Sequence, residues 1–469
     1  MEPIDQATLL EGVFERIRTH FACNGYREEK VREWLTPEQI SESLDIAVKD
    51  DAIDADELLK LVDQYISMSV NTQHPNFLQP LWGGLSAAGL VGEIVTVLTN
   101  TSVYTWELAP VATLVEQEMV ATLGAMAGWE SVEGTFTTGG SNANMLAMIL
   151  ARDQAFPNAI TSGINGSELA VFVSEDSHYS LLMSAHVLGI GSEGVIKIET
   201  DIDGRMKPSA LQQAITECRK TSRTPVCVIA TSGTTVRGAF DPLEEISSIC
   251  KSENIWLHVD AALGGACLFS SKHSHLMKGV ERADSLTWDP HKVMGVPITC
   301  STLLTPHAGA LMNTCSYVES AHYLFHEPGI EYDLGRTSLQ CGRRVDALKL
   351  WISWKAEGNT GWKKQIEHYL ELAEYLEDEV NKDSMLELMS SRTFTNVCLR
   401  YRPQNLDVTE LNNLNEAIRQ KMIFDGNFMT SLTQIKGQTI LRPVICNSAV
   451  DKKSIDDFLS EIHRIAKDV

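Results

Sequence analysis

Ser285-Leu286-Thr287-Trp288-Asp289-Pro290-His291-Lys292 is the stretch from which the rest of the chain is read. A short apolar strand ends, and a histidine and a lysine follow at once. A lysine that forms an imine must lose its proton near neutral pH, although a free lysine has a pKa of about 10.4. Burial and a nearby positive group can lower that value. Lys292 sits just past the strand, beside His291, in a stretch poor in other cations. The plain alternative is a surface lysine in a loop, so the segment gains meaning only from its neighbours.

Four further segments supply those neighbours. In His258-Val259-Asp260-Ala261-Ala262-Leu263-Gly264-Gly265 an aspartate ends a strand and small residues follow, leaving room for a flat ring. A buried carboxylate there can stabilise the protonated nitrogen of an electron-sink ring, or it can merely cap the next helix. Thr137-Thr138-Gly139-Gly140-Ser141-Asn142 opens an apolar helix, and unpaired N–H groups at a helix start suit a phosphate. Ser177-His178-Tyr179-Ser180 offers an imidazole that could stack on a ring and move protons. Ser232-Gly233-Thr234-Thr235 offers hydroxyls, which elsewhere serve only to cap turns. Each is weak alone. Together they supply a phosphate cradle, a stacking group, hydroxyl donors, a carboxylate and an imine-forming amine.

The pattern around these segments is an alternation of short apolar strands and helices. Strands are expected at Leu169 to Val173, Val226 to Ala230, Ile255 to Val259, Ser285 to Trp288 and Ser301 to Leu304. Helices are expected at Pro110 to Ala127, Pro208 to Lys220 and Leu243 to Ser252, among others. Continuous apolar strands between helices predict an α/β domain with a mostly parallel sheet buried on both faces. Ligands in such sheets sit at strand carboxyl ends, where four of the five segments fall. Before this region the chain reads mainly as helix, followed by a Gly-, Pro- and Trp-containing loop from His74 to Gly84. After about Val345 come a long helix, strand-like runs at Val397 to Tyr401 and Ile440 to Ile445, and a last helix from about Ser454.

Composition excludes several classes. The chain has 469 residues and a formal net charge of -23, which disfavours nucleic acid and anionic membranes as partners. No stretch approaches the roughly 20 apolar residues of a membrane span. Met1 to Phe21 lacks the basic start and apolar run of a secretory signal. The 10 cysteines are scattered singly, without a Cys-x-x-Cys pair, which fits a cytoplasmic protein rather than a zinc ribbon or disulfide framework. His322-x-x-x-His326 has metal-pair spacing on an expected helix, and His273-Ser274-His275 is a local cluster. Neither has an obvious third ligand, so no metal is expected.

In this order, Gly-Gly-Ser, Ser-His-Tyr-Ser, Ser-Gly-Thr-Thr, His-Val-Asp-Ala-Ala and Pro-His-Lys resemble the group II pyridoxal-phosphate-dependent amino-acid decarboxylases. The branch most resembled holds the glutamate, cysteine sulfinate and aspartate enzymes. Supporting stretches include Tyr104-Thr105-Trp106-Glu107-Leu108-Ala109-Pro110, Gly279-Val280-Glu281-Arg282-Ala283, Leu339-Gln340-Cys341-Gly342-Arg343 and Lys349-Leu350-Trp351. The resemblance implies the type I pyridoxal-phosphate fold. It implies a helical N-terminal segment over residues 1–100 packing at a dimer interface. A large cofactor domain with a seven-stranded sheet over 101–345 and a small α+β domain over 346–469 would follow. It also implies a homodimer with shared active sites.

Carried over by position, Lys292 would bind pyridoxal 5'-phosphate covalently and Asp260 would pair with the pyridine nitrogen. His178 would stack on one ring face and Ala262 would pack on the other. Gly140, Ser141 and His291 would contact the phosphate, and Thr235 and Asp289 would lie near the cofactor. Tyr332 resembles a mobile-loop tyrosine that protonates the product carbon. Arg442 resembles an arginine that binds a substrate carboxylate, with Phe77 and Trp82 lining the substrate pocket. Three positions depart from the glutamate enzymes. Asp289 stands where Asn is usual, Pro80 replaces a glutamine, and Trp82 falls where those enzymes have Ser and the cysteine sulfinate enzymes have Phe. A bulky indole there should shorten the pocket. The expected reaction is decarboxylation of an L-amino acid, with aspartate, cysteine sulfinate or glutamate as substrate. A diamino or aromatic substrate, another reaction of the same cofactor, and a non-catalytic dimeric scaffold are the competing readings.

Overall fold

The computed structural model describes residues 5–23, 27–316 and 321–469. Two compact units are present. One comprises Met1–Gly84, Tyr375–Met389 and Leu399–Val469; the other comprises Leu85–Glu374 and Ser390–Cys398. Among the described residues the strands, in chain order, are β1 (Phe77–Leu78), β2 (Glu133–Thr137), β3 (Leu169–Ser174), β4 (Val195–Ile198), β5 (Thr224–Thr231) and β6 (Trp256–Asp260). β7 (Ser285–Trp288), β8 (Ser301–Thr305), β9 (Leu386–Leu388), β10 (Leu399–Tyr401), β11 (Met429–Ile435) and β12 (Gln438–Arg442) follow.

The larger unit is built on a seven-stranded sheet of order β2-β8-β7-β6-β5-β3-β4. Only the β2–β8 and β7–β8 pairs are antiparallel, so β8 alone runs against the rest. The mostly parallel sheet expected from the sequence is therefore present. Its composition explains it: β3, β6, β7 and β8 are buried at every position, and β5 over its last six residues. Side chains point alternately to the two faces, so burial of every position means that both faces are covered. The helix Gly140–Ala155 covers part of one face, burying Leu146, Ala147, Met148 and Leu150 among the core that also holds Val171, Val173 and Ile229.

The smaller unit carries a five-stranded sheet of order β1-β11-β12-β10-β9. The two-residue β1 pairs parallel to β11, with Phe77 opposite Met429. The helix Lys452–Ala466 starts with a reciprocal Asp451–Ser454 cap. It buries Ile455, Phe458, Leu459, Ile462 and Ile465, which recur at three- and four-residue spacing on one face. The helix Val408–Asp425 is likewise capped, by Asp407 and Glu410, and ends at Gly426 in the left-handed region at φ 78°.

A buried ion pair ties the edge of the large sheet to its surroundings. Both guanidinium nitrogens of Arg343 lie 2.8 Å from the Glu116 carboxylate, and the two side chains are 4% and 1% exposed. Glu116 stands on the helix Pro110–Met126 and also accepts from the Phe136 backbone N–H in β2 at 3.4 Å. The Arg343 backbone donates to Ser102 Oγ, and its carbonyl accepts from Val103. One pair thus fastens a helix, a strand and two loop segments. Removing one partner strands a charge in the interior, which costs far more than replacing both. Arg343→Met should therefore lower unfolding free energy by roughly 3–5 kcal/mol. The double substitution Arg343→Met with Glu116→Met should recover most of it in urea titrations of the same protein.

Candidate active site

All five sequence segments meet along one edge of the large sheet, the edge where the parallel strands end. The Gly-Gly-Ser segment follows β2, His178 follows β3, and the Ser232 turn follows β5. Asp260 ends β6, and Asp289 to Lys292 follow β7.

Lys292 and Asp289 form the centre. Lys292 Nζ lies 3.2 Å from Asp289 Oδ2, and the two side chains are 19% and 2% exposed. The loop is closed by Lys292 N–H donating to the Asp289 carbonyl, and by Asp289 N–H donating to the Ala262 carbonyl at 3.3 Å. The second carboxylate oxygen, Asp289 Oδ1, is buried without a hydrogen-bond partner. His291 is held by its Nδ1, 2.6 Å from the Cys300 carbonyl oxygen, and its Nε2 stands 3.9 Å from Asp289. Burial holds the His291 imidazole below the ordinary histidine range, with Asp289 pulling the other way.

The glycines explain themselves by what a Cβ would meet. At Gly140, the first residue of its helix, a Cβ would fall 2.6 Å from Asp289 Oδ2. The helix start is therefore pressed against the carboxylate beside Lys292. Gly139 precedes it at φ 131°, where side chains are rarely tolerated. Ser141 lies in the first turn of the same helix, where backbone N–H groups have no partner within the helix. Gly233, at φ 88°, would press a Cβ to 2.9 Å from the Gly264 nitrogen, so the Ser232 turn packs backbone to backbone on the small residues after Asp260.

Asp260 is 5% exposed. Its Oδ1 accepts from the Ala262 N–H at 3.1 Å and its Oδ2 from Asn144 Nδ2 at 2.8 Å. Ala262 is buried beside it. His178 is half-buried and lies in the electrostatic range of Asp260, Lys292 and Asp289. Burial, the dominant cause, pushes its pKa below the ordinary value. Its Nδ1 accepts from the Ser180 backbone N–H at 3.3 Å and lies 2.8 Å from Ser180 Oγ, which leaves Nε2 to carry the proton. Ser232 Oγ is buried with no hydrogen-bond partner, and the Thr235 carbonyl accepts from Asn396 at 3.0 Å.

Tyr332 ends a short 3₁₀ turn, Ile330–Tyr332, and is 38% exposed. Its ring lies 4.8 Å from that of Trp106. In the smaller unit Phe77 is buried in β1 with the Trp82 ring 5.9 Å away, and both belong to a cluster with Val70 and Met429. Arg442 ends β12 and is 6% exposed. The expected helix under His322 and His326 is not formed: residues 321–329 are turn and irregular backbone, so the two histidines lack helical i, i+4 geometry.

The sequence did not single out Asn144, and it gave His258, though quoted in the Asp260 segment, no role of its own. Asn144 carries no motif of its own, but it stands one helical turn after Gly140 and on the same face. His258 lies two residues before Asp260 in a strand, hence on its face.

The chain's likenesses agree with this arrangement. Residues 37–402 match the model of the pyridoxal-dependent decarboxylase conserved domain. The acidic amino acid decarboxylase GADL1 of Mus musculus is 39% identical over 454 residues, 94% of this chain and 82% of that protein. The cysteine sulfinic acid decarboxylase of Homo sapiens is 37% identical over 483 residues, 100% of this chain and 98% of that protein. Among solved structures, that of mouse CSAD superposes with a TM-score of 0.94 at 36% identity, covering 99% of both chains. A decarboxylase-domain match over most of the chain, joined to full-length relatives above a third identity, makes this chain a member of the pyridoxal-dependent decarboxylase family.

Proposed function

We propose that this chain decarboxylates an acidic amino acid (aspartate, cysteine sulfinate or glutamate) with pyridoxal phosphate bound at Lys292. The observation that carries the reading is the placing of Lys292, beside buried Asp289, at the strand-end edge that also holds Asp260 and His178. The residues fit the cofactor. The helix start at Gly140 offers unpaired N–H groups to a phosphate, Asp289 Oδ1 and Ser232 Oγ are buried polar atoms awaiting partners, and Asp260 is a fixed carboxylate. Gly140, Ser141 and His291 would hold the phosphate, with Asp289 and Thr235 lining the site.

When bound, pyridoxal phosphate supplies an electron sink conjugated to the substrate amine, into which the electrons of the broken carboxylate bond can move. The protein supplies orientation and charge. Lys292 offers the amine, positioned by Asp289 Oδ2. Asp260 would hold a proton on the ring nitrogen, because its carboxylate is already fixed by two N–H donors and needs no rearrangement. His178, its imidazole pushed toward the neutral form by burial, would offer a flat face to the cofactor ring, and Ala262 is small enough that it would leave room for that ring. Tyr332, half-exposed at the end of its turn, would supply the proton that the product carbon needs. By the family resemblance Arg442 would bind the side-chain acid of the substrate, a guanidinium being a strong directional donor to carboxylate and sulfinate oxygens.

The likeness to an acidic amino acid decarboxylase and a cysteine sulfinic acid decarboxylase supports the acidic class. Trp82, packed on Phe77, favours the shorter members of that class. A homodimer is supported by Val97, Leu98, Leu108, Val111 and Leu114, apolar side chains 50–76% exposed on and between two successive helices, an arrangement suited to a second copy. Sedimentation at twice the 51.9 kDa chain mass would bear this out, and a monomer would refute it. A cytoplasmic location fits the described cysteines, which are free and mostly buried, and no described helix is long and apolar enough to cross a membrane.

Carbon dioxide release from a panel of aspartate, cysteine sulfinate, glutamate, diaminobutyrate and tyrosine tests the reading. Aspartate and cysteine sulfinate should be turned over faster than glutamate, and preferential release from tyrosine or diaminobutyrate would overturn it. Lys292→Ala should abolish turnover and leave no cofactor attached after borohydride reduction of the holoprotein, a bond that mass spectrometry would otherwise locate at residue 292. Tyr332→Phe should slow amine release or, with dissolved dioxygen as oxidant, divert product to the aldehyde, and an unchanged yield and rate would remove the tyrosine from the mechanism.

A further inference from the structure

Trp256, His258 and Asp260 occupy alternate positions of β6 and so share one face of the sheet. On the neighbouring strand β7, Ser285 is the register partner of His258, and Thr287 that of Asp260. Asn144 approaches from the helix Gly140–Ala155. These side chains form a continuous buried hydrogen-bonded series. Trp256 Nε1 lies 2.8 Å from Ser285 Oγ, and Ser285 Oγ 2.8 Å from His258 Nδ1. His258 Nε2 lies 3.0 Å from Asn144 Oδ1, and Asn144 Nδ2 2.8 Å from Asp260 Oδ2.

The direction of every bond is fixed by donor chemistry. An ionised carboxylate only accepts, so the Asn144 nitrogen must face Asp260 and its oxygen must face His258. An amide oxygen also only accepts, so His258 Nε2 carries the proton, and Thr287 Oγ1 at 3.2 Å takes a second share of it. Complete burial pushes the His258 pKa down to about 4, so the ring is neutral and its Nδ1 is bare. Nδ1 must then accept from the Ser285 hydroxyl, which in turn accepts from the indole N–H, because indole can only donate. All four bonds point their hydrogens toward Asp260. A series of aligned bonds polarises each member and strengthens the last, the charge-assisted bond to the carboxylate.

We propose that Asn144 and His258 are positioning residues: the one-way hydrogen-bond chain from Trp256 to Asp260 fixes that carboxylate in one orientation against the cofactor ring nitrogen. The inference rests on Asp260 being the partner of that nitrogen. Asn144 holds the acid directly. His258 keeps the amide from rotating, and Ser285 keeps His258 in the tautomer that does so. A purely structural role would make no distinction between a donor and an isosteric non-donor at residue 144.

The test uses full-length holoenzyme variants with two readouts: the ratio of the bound cofactor's absorption bands at pH 7, and the rate at which cofactor is lost on dilution. Asn144→Leu, close in shape but unable to donate, should change the band ratio and speed cofactor loss by roughly 10-fold to 100-fold, the range expected for one hydrogen bond to a charged group. His258→Phe should act in the same direction and more weakly. His258→Gln, whose amide can still donate toward Asn144, should restore both readouts toward the parent. Thermal unfolding of each apoprotein separates folding damage from loss of positioning. Unchanged band ratio and release in Asn144→Leu, or equal effects of His258→Phe and His258→Gln, would overturn the chain. Asp260→Asn is run beside them. If it too leaves the bands unmoved, the assignment of Asp260 to the ring nitrogen fails; if it moves them while Asn144→Leu does not, only the positioning chain fails.

Discussion

Parallel strands must all finish on the same side of their sheet, and that constraint arranges everything else in this protein. Each strand hands its chain to a loop at one edge, so residues far apart in sequence are delivered to a common line. Thr137, Ser174, Thr231, Asp260 and Trp288 close β2, β3, β5, β6 and β7 along it. The loops need only be short and well fastened. Their fastening is visible in the backbone bonds that run sideways between them: Ser232 N–H to the Asp260 carbonyl, Gly264 N–H to the Ser232 carbonyl, and Ala261 N–H to the Thr287 carbonyl. The edge is thus a rigid mount, as a site that depends on sub-ångström placement requires.

The electrostatics of the edge follow from burial rather than from net charge. The chain is strongly acidic, yet the groups near Lys292 are few and individually controlled. Asp289 has one oxygen on the lysine, while Asp260 has both oxygens on N–H donors. The imidazoles of His178, His258 and His291 are all pushed toward the neutral form by desolvation. In a low-dielectric site a neutral imidazole has one donor and one acceptor, so each ring is given a sense of direction by a single neighbour.

Much of this was legible in the residues and some could not have been. β3 and β5 announce themselves as apolar runs, and β6, β7 and β8 as short stretches around Trp256 to Val259, Leu286 to Trp288 and Leu303 to Leu304, each lying between helices or turns. β2 does not, because Glu133-Gly134-Thr135-Phe136-Thr137 has one large apolar residue, and β4 is only four residues with a lysine in it. The Gly-Gly-Ser, His-Val-Asp and His-Lys segments carried the site because small residues, a strand-end acid and an amine have recognisable chemistry. Asn144 had no such signature; its role appears only when a helix is laid on the sheet and the amide meets both His258 and Asp260. Regular spacing misled at His322 and His326, where an i, i+4 interval lies on irregular backbone. Phe77 and Leu78 read as loop since two residues cannot display a period, and they become a strand only through a partner about 350 residues later.

That late partner has a consequence for synthesis. The sheet of the smaller unit takes its edge strand from near residue 77 and the remaining four from beyond residue 385. As the chain leaves the ribosome, the early segment must wait while the whole intervening unit emerges. During that interval Phe77 and Leu78, buried in the finished protein, have no sheet to join. Contacts of such long sequence separation form late and slowly, and exposed apolar segments invite association with other chains meanwhile. Brevity is protective here: a strand of two residues offers too little edge to template pairing with a stranger.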